Sequence, residues 1–109
     1  MWGSGSPKRE FLHVDDLANA CFFLMKTYNE RGLINIGTGT DISIYELASL
    51  IKEIVGFHGD IINDTTKPDG TPRKLMDVSK LNALGWSSTI NLTEGIKSVY
   101  KSLKSQPWY

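Results

Sequence analysis

Apolar residues recur at helical spacing in three stretches of the chain, and each stretch carries its own start or stop signal. Leu17, Cys21, Leu24 and Tyr28 form the first stripe, widened by Phe22 and Met25. Asp15 or Asp16 is placed to cap it, and Gly32 follows as a stop signal. The second stripe runs through Leu47, Leu50, Ile51, Ile54 and Val55. Ser43-Ile44-Tyr45-Glu46 before it has the form of a capping box, and Gly56 is placed to end it. Leu92, Ile96, Val99, Tyr100 and Leu103 predict a last helix. A shorter one is predicted between a cap at Asp77 or Ser79 and Gly85-Trp86.

Between the helices lie short apolar runs. Glu10 to Val14 reads as a strand, Leu33 to Ile36 as a brief buried strand ending in the turn Gly37-Thr38-Gly39, and Asp60 to Asn63 as a third. Asp64 to Pro72 is rich in turn residues. Strands alternating with helices predict an α/β domain. They are too few for a complete doubly wound sheet, which predicts part of a larger fold. Trp2 to Pro7, rich in Gly and Ser, reads from composition alone either as a flexible linker or as genuine domain sequence.

Composition narrows the classes. With 109 residues, 40% of them hydrophobic and 22% charged, one small globular domain is expected. Twelve basic residues balance twelve acidic ones, so no nucleic-acid footprint is expected. No apolar run reaches the roughly 20 residues of a membrane span. Cys21 is the single cysteine; it is read as a core residue, and it excludes an intramolecular disulfide. A cytoplasmic location is the resulting expectation.

Two motifs resemble catalytic or cofactor signatures and fail on position. Gly37-Thr38-Gly39 follows a strand, but the third glycine of the dinucleotide fingerprint would fall at Ile42, so a tight turn is expected. Tyr100 and Lys104 match Tyr-x-x-x-Lys in form, yet Tyr100 belongs to the apolar stripe of the last helix. Arg73 stands four residues before Asp77, where an internal ion pair competes with a ligand contact. His13 and His58 make no metal site, and no catalytic residue is assigned.

Three stretches carry a resemblance. Trp2-Gly3-Ser4-Gly5-Ser6-Pro7-Lys8-Arg9-Glu10-Phe11-Leu12-His13-Val14-Asp15-Asp16, Asn35-Ile36-Gly37-Thr38-Gly39, and Lys67-Pro68-Asp69-Gly70-Thr71-Pro72-Arg73-Lys74-Leu75-Met76-Asp77 together resemble the GDP-L-fucose synthase family. That family belongs to the extended short-chain dehydrogenase/reductases. It performs two epimerisations and an NADPH-dependent reduction on GDP-4-keto-6-deoxymannose. The Arg9-to-Asp16 stretch and Leu84-Gly85-Trp86 are shared across the superfamily, while Lys67 to Lys74 is the more specific run.

The resemblance implies that residues 1–109 are the carboxy-terminal, substrate-binding portion of such an enzyme, without most of the Rossmann domain. The 33–36 strand would then join the sheet of that domain. Trp2, Arg9, Asp69 and Lys74 are the implied contacts to a GDP-sugar. No cofactor is expected in this piece, NADPH is expected in the intact enzyme, and self-association, such as a homodimer, is expected of the chain alone. His13 is implied to be structural, and the family's Tyr-Lys pair lies upstream of everything present. Other readings are a different nucleotide-sugar epimerase or dehydratase, or a free-standing nucleotide-binding module.

Overall fold

A computed structural model describes residues 1–105. Its elements run β1 (Lys8–Arg9), α1 (Val14–Thr27), β2 (Ile42–Ser43), α2 (Ile44–Val55), β3 (Arg73–Lys74), α3 (Ser79–Ala83) and α4 (Leu92–Lys104). The fold is α/β, with a small mixed sheet in the order β2-β1-β3. β1 runs antiparallel to β2, pairing Lys8 with Ser43 and Arg9 with Ile42. It runs parallel to β3, pairing Lys8 with Arg73 and Arg9 with Lys74.

The sheet lies earlier than the expected 10–14 strand. Pro7 and Pro72 lack N–H donors and serve only as acceptors, from Ile44 and Lys8 respectively. Beyond Arg9, bonding between segments passes from the backbone to the Glu10 side chain, and the chain turns into α1. His13 caps that helix, its Nδ1 accepting the Asp15 N–H at 3.2 Å. Neither Asp15 nor Asp16 does so, because Asp16 is buried inside the first turn.

The core is small: Ala20, Leu81 and Trp86, with Leu12, Phe23, Leu24, Ile34 and Ile36 packed on it. Asp16, Ala20, Phe23 and Leu24 are therefore the inward face of α1. Most of the expected stripe points away, with Leu17 42% exposed and Met25 83% exposed. Cys21 is exposed, which corrects its reading as a core residue. The helix is apolar on both faces, and periodicity could not choose between them.

The expected strand at 33–36 forms no ladder. Leu33 is 95% exposed, while Ile34 and Ile36 lie half-buried against the core. This alternation is strand-like, but among the described residues no backbone partner pairs with it. The 60–63 segment is also irregular, with a single parallel bridge between Trp2 and Asp64 just after it.

The second helix follows its local signals. Ser43 Oγ accepts the Glu46 N–H at 3.1 Å, Glu46 Oε2 accepts the Ser43 N–H at 3.0 Å, and Gly56 closes the helix at φ +70. α3 starts after Asp77, whose Oδ1 accepts the Ser79 N–H at 3.0 Å. α2 packs against α4. No helix among the described residues is long and apolar enough to cross a membrane.

Candidate functional site

Residues paired across a sheet share a face, whereas neighbours along a strand alternate. The cations of β1 and β3 are thereby sorted into two sets: Lys8 with Arg73, and Arg9 with Lys74. In the first set, Arg73 is paired with a carboxylate. Arg73 Nε donates to Asp41 Oδ2 at 2.5 Å and Nη2 to Oδ1 at 3.3 Å. The Arg73 hydrogen bond, then the charges of Arg73 and Lys8, hold the Asp41 carboxyl below its ordinary value. Asp41, not Asp77, is thus the partner of Arg73: the residue sits on a strand, where helical i,i+4 spacing does not apply.

The second set is uncompensated. Among the described residues, neither Arg9 nor Lys74 forms an ion pair. Arg9 is half-buried, and its Nη1 donates to the carbonyls of Lys8 at 2.6 Å and Thr71 at 2.7 Å. These bonds fix the guanidinium plane without satisfying its charge. Lys74 is exposed beside it.

Trp2 and Asp69 belong to the same neighbourhood through the backbone. Gly3, Gly5 and Pro7 are buried, so Trp2 to Pro7 is packed sequence rather than linker. Gly3 N–H donates to the Asp64 carbonyl at 2.9 Å, and Asp64 N–H donates to the Met1 carbonyl at 2.7 Å. Trp2, held between these two bonds, leaves its side chain outside; the residue is 75% exposed, with Lys67 Nζ 5.6 Å from the ring centroid. Asp69 accepts from Ser4 N–H at 2.8 Å and from Ser4 Oγ at 2.6 Å. These two bonds hold its carboxyl below the ordinary value.

Glu10 carries a function for the fold that spacing did not reveal. Its Oε1 accepts the N–H groups of Thr38 at 2.5 Å and Gly39 at 2.7 Å and the Thr38 hydroxyl at 3.2 Å. Its Oε2 accepts the Met76 N–H at 2.9 Å. Burial pushes this carboxyl up, but the four donors together outweigh it and hold the group below its ordinary value. A side chain at Gly37 would strike the same carboxylate. The Thr38 and Gly39 N–H groups, which in a cofactor loop would face a phosphate, are already committed to an internal anion. The turn does not fit a dinucleotide.

Tyr100 and His13 make contacts between elements. Tyr100 Oη donates to the Val55 carbonyl at 3.4 Å, tying α4 to α2, while Lys104 Nζ lies 4.6 Å from its ring centroid. His13 packs beside Gly95 and caps α1. His58 is exposed. Among the described residues, no three His, Cys, Asp or Glu side chains gather to hold a metal.

Comparison with known proteins agrees with this architecture. A sequence model of the NAD dependent epimerase/dehydratase family matches residues 1–37. GDP-L-fucose synthase 1 of Arabidopsis thaliana is 57% identical over 100 residues, covering 92% of this chain and 31% of the relative. The GDP-L-fucose synthase of Escherichia coli (strain K12) is 48% identical over 110 residues, covering 93% of this chain and 34% of the relative. A GDP-mannoheptose C4 reductase from Campylobacter jejuni, solved with NADP bound, superposes with a TM-score of 0.85 at 43% identity, over 96% of this chain and 34% of that one. The chain spans about a third of the length of the curated relatives it matches.

Proposed function

We propose that this chain, which resembles the GDP-L-fucose synthases along nearly its whole length, is the nucleotide-sugar-binding portion of an epimerase/reductase acting on GDP-4-keto-6-deoxy-mannose, and is inactive alone. The observation that carries the reading is the pairing of Arg9 with Lys74 across β1 and β3, two adjacent cations with no ion-pair partner among the described residues. A diphosphate suits such a pair: Arg offers a planar fork of donors, and Lys a compact charge. Trp2 adds an exposed aromatic wall with one N–H donor. Asp69 completes the group beside Ser4, on the loop that also holds Arg9.

NADPH would supply the hydride in the intact enzyme and be bound by the two-thirds of the relatives' length that this chain does not span. The residues here orient a substrate and surround it. This reading gives them no hydride transfer; the Tyr100 bond to Val55 and the bonds of Thr38 and Gly39 to Glu10 support it. A reducing, cytoplasmic setting suits the exposed thiol of Cys21.

Titration of the isotope-labelled chain with GDP, followed by NMR, tests the reading. Weak binding is expected, with shifts concentrated around Trp2, Arg9 and Lys74, and Arg9→Glu and Lys74→Glu should each abolish it. Shifts that persist in both charge reversals would remove the phosphate assignment.

A further inference from the structure

The loop that carries Asp69 touches both proposed ligand-gripping elements, by different means. On one side the Asp69 carboxylate holds Ser4, with Oδ1 on the N–H at 2.8 Å and Oδ2 on the hydroxyl at 2.6 Å. Gly3 adopts φ +69 directly under that carboxylate, and a side chain there would collide with Oδ1. Asn63 Nδ2 secures the same turn, donating to the carbonyls of Gly3 at 2.9 Å and Ser4 at 2.8 Å. On the other side, the next two residues cradle Arg9. Its Nη1 donates to the Thr71 carbonyl at 2.7 Å, and a Cβ on Gly70 would come within 3.2 Å of Nη2.

We infer that Asp69 is a positioning residue: it fixes Trp2 through Ser4, while Gly70 and Thr71 fix Arg9, so that the 69–71 segment sets the spacing between the aromatic wall and the guanidinium. The inference rests on the nucleotide-sugar reading only for what those two side chains grip. Trp2, 75% exposed, has little packing of its own to orient it. Its placement therefore comes from its backbone neighbours, and the Ser4 latch is the charge-assisted part of that frame. Each carboxylate oxygen accepts one Ser4 hydrogen bond and keeps acceptor capacity, so this positioning role stands beside the ligand contact proposed above.

The test is a double-mutant cycle on the 109-residue chain with Asp69→Ala, Ser4→Ala and the pair, reading GDP affinity by NMR. Asp69→Ala is expected to weaken GDP about tenfold, roughly 1.4 kcal/mol. Ser4→Ala should weaken it less, and the double variant no more than Asp69→Ala alone. If Ser4→Ala changes nothing, or the two losses add, GDP affinity does not run through the Ser4 latch and the inference is overturned.

A ligand-free arm separates this result from the fate of the functional reading. Asp69→Ala should shift the Trp2 indole N–H resonance and speed exchange of the Ser4 amide, while the Trp86 indole, bonded to Asn19 Oδ1 at 2.8 Å in the core, stays in place as the control. In the unsubstituted chain the Ser4 amide shift should follow a carboxyl that titrates below the ordinary Asp range. If the Trp2 and Ser4 signals do not move, the latch is refuted whether or not GDP binds. If they move and the unsubstituted chain ignores GDP, the positioning inference stands and the nucleotide-sugar reading alone fails.

Discussion

Asp16 Oδ1 accepts the Thr89 hydroxyl at 2.9 Å and Asp16 Oδ2 accepts the Thr89 N–H at 3.0 Å, tying the first turn of α1 to the loop that leads into α4. The Ile90 N–H adds a further bond to Oδ2 at 2.9 Å, and Asp16 is only 4% exposed. Burial pushes the carboxyl up, but the Ile90 and Thr89 donors outweigh it and hold it below its ordinary value. A carboxyl whose folded pKa is depressed contributes stability above its unfolded pKa and loses it as pH falls through the folded one. The chain should therefore be at full strength from neutral pH down to about pH 5 and weaken from about pH 4 downward. Asp16→Ala should lower stability by about 1–3 kcal/mol at pH 7 by orphaning the donors it serves. It should also flatten the acid limb of the urea midpoint plotted against pH. An unchanged acid limb would show that Asp16 is not the group responsible.

Glu10 is expected to matter for stability more than its half-buried position suggests, because one carboxylate serves the Gly37-Gly39 turn and the segment after β3. Glu10→Ala should cost about 2 kcal/mol in urea denaturation. Glu10→Gln, which keeps a single carbonyl acceptor, should fall between it and the unsubstituted chain. The amides of Thr38, Gly39 and Met76 should lose exchange protection together; if they change independently, Glu10 is not their common anchor.

What could be read from the sequence was set by the distance between partners. Ser43 and Glu46 satisfy each other three residues apart, and Gly56 ends the same helix, so α2 was legible from spacing alone. Asp16 finds Thr89 seventy-three positions away, and Glu10 finds Thr38 and Met76 at separations of 28 and 66. No local pattern announces such bonds. Strands of two residues are too short for period-2 alternation to register, which displaced β1 and left 60–63 unsupported. Trp2, Arg9, Asp69 and Lys74 were named through motif resemblance. That the first three share one supporting loop, and that Lys74 pairs with Arg9 across the sheet, emerges only from the packing of residues 1–9 against 62–74.

NADPH should not bind this chain. The Gly37-Thr38-Gly39 turn has its Thr38 and Gly39 N–H groups committed to Glu10, and a phosphate entering there would meet a carboxylate at close range. Calorimetric titration should show no heat beyond dilution. Micromolar affinity would mean that a cofactor site exists in these residues and would undo the division of labour proposed for them. Tyr100→Phe, removing only the bond to Val55, should cost about 1 kcal/mol or less and leave GDP shifts unchanged.

Self-association is the expected behaviour of the isolated chain. The outward face of α1 carries Val14 (66% exposed), Leu17, Cys21 and Met25 (83% exposed) at spacings of three and four, an uninterrupted apolar stripe on the surface. Phe22 lies beside it under Lys26, whose Nζ is 4.1 Å from the ring centroid. Leu33 is 95% exposed, and residues 33–36 have no backbone partner among the described residues. Unpaired backbone donors and acceptors invite a second chain. Apolar surface withdrawn from water returns roughly 25 cal/mol per Å², so covering a few hundred Å² yields several kcal/mol before association entropy is subtracted. A symmetric dimer relieves both features at once. Because Ile34 packs on the core, Met25→Glu and Leu33→Lys are the informative substitutions: both side chains are outside, and neither change should unfold the chain. Light scattering across a concentration series should show a dimer that either substitution weakens. A monomer at high concentration would contradict the expectation, and a dimer indifferent to both changes would move the contact away from α1 and residues 33–36.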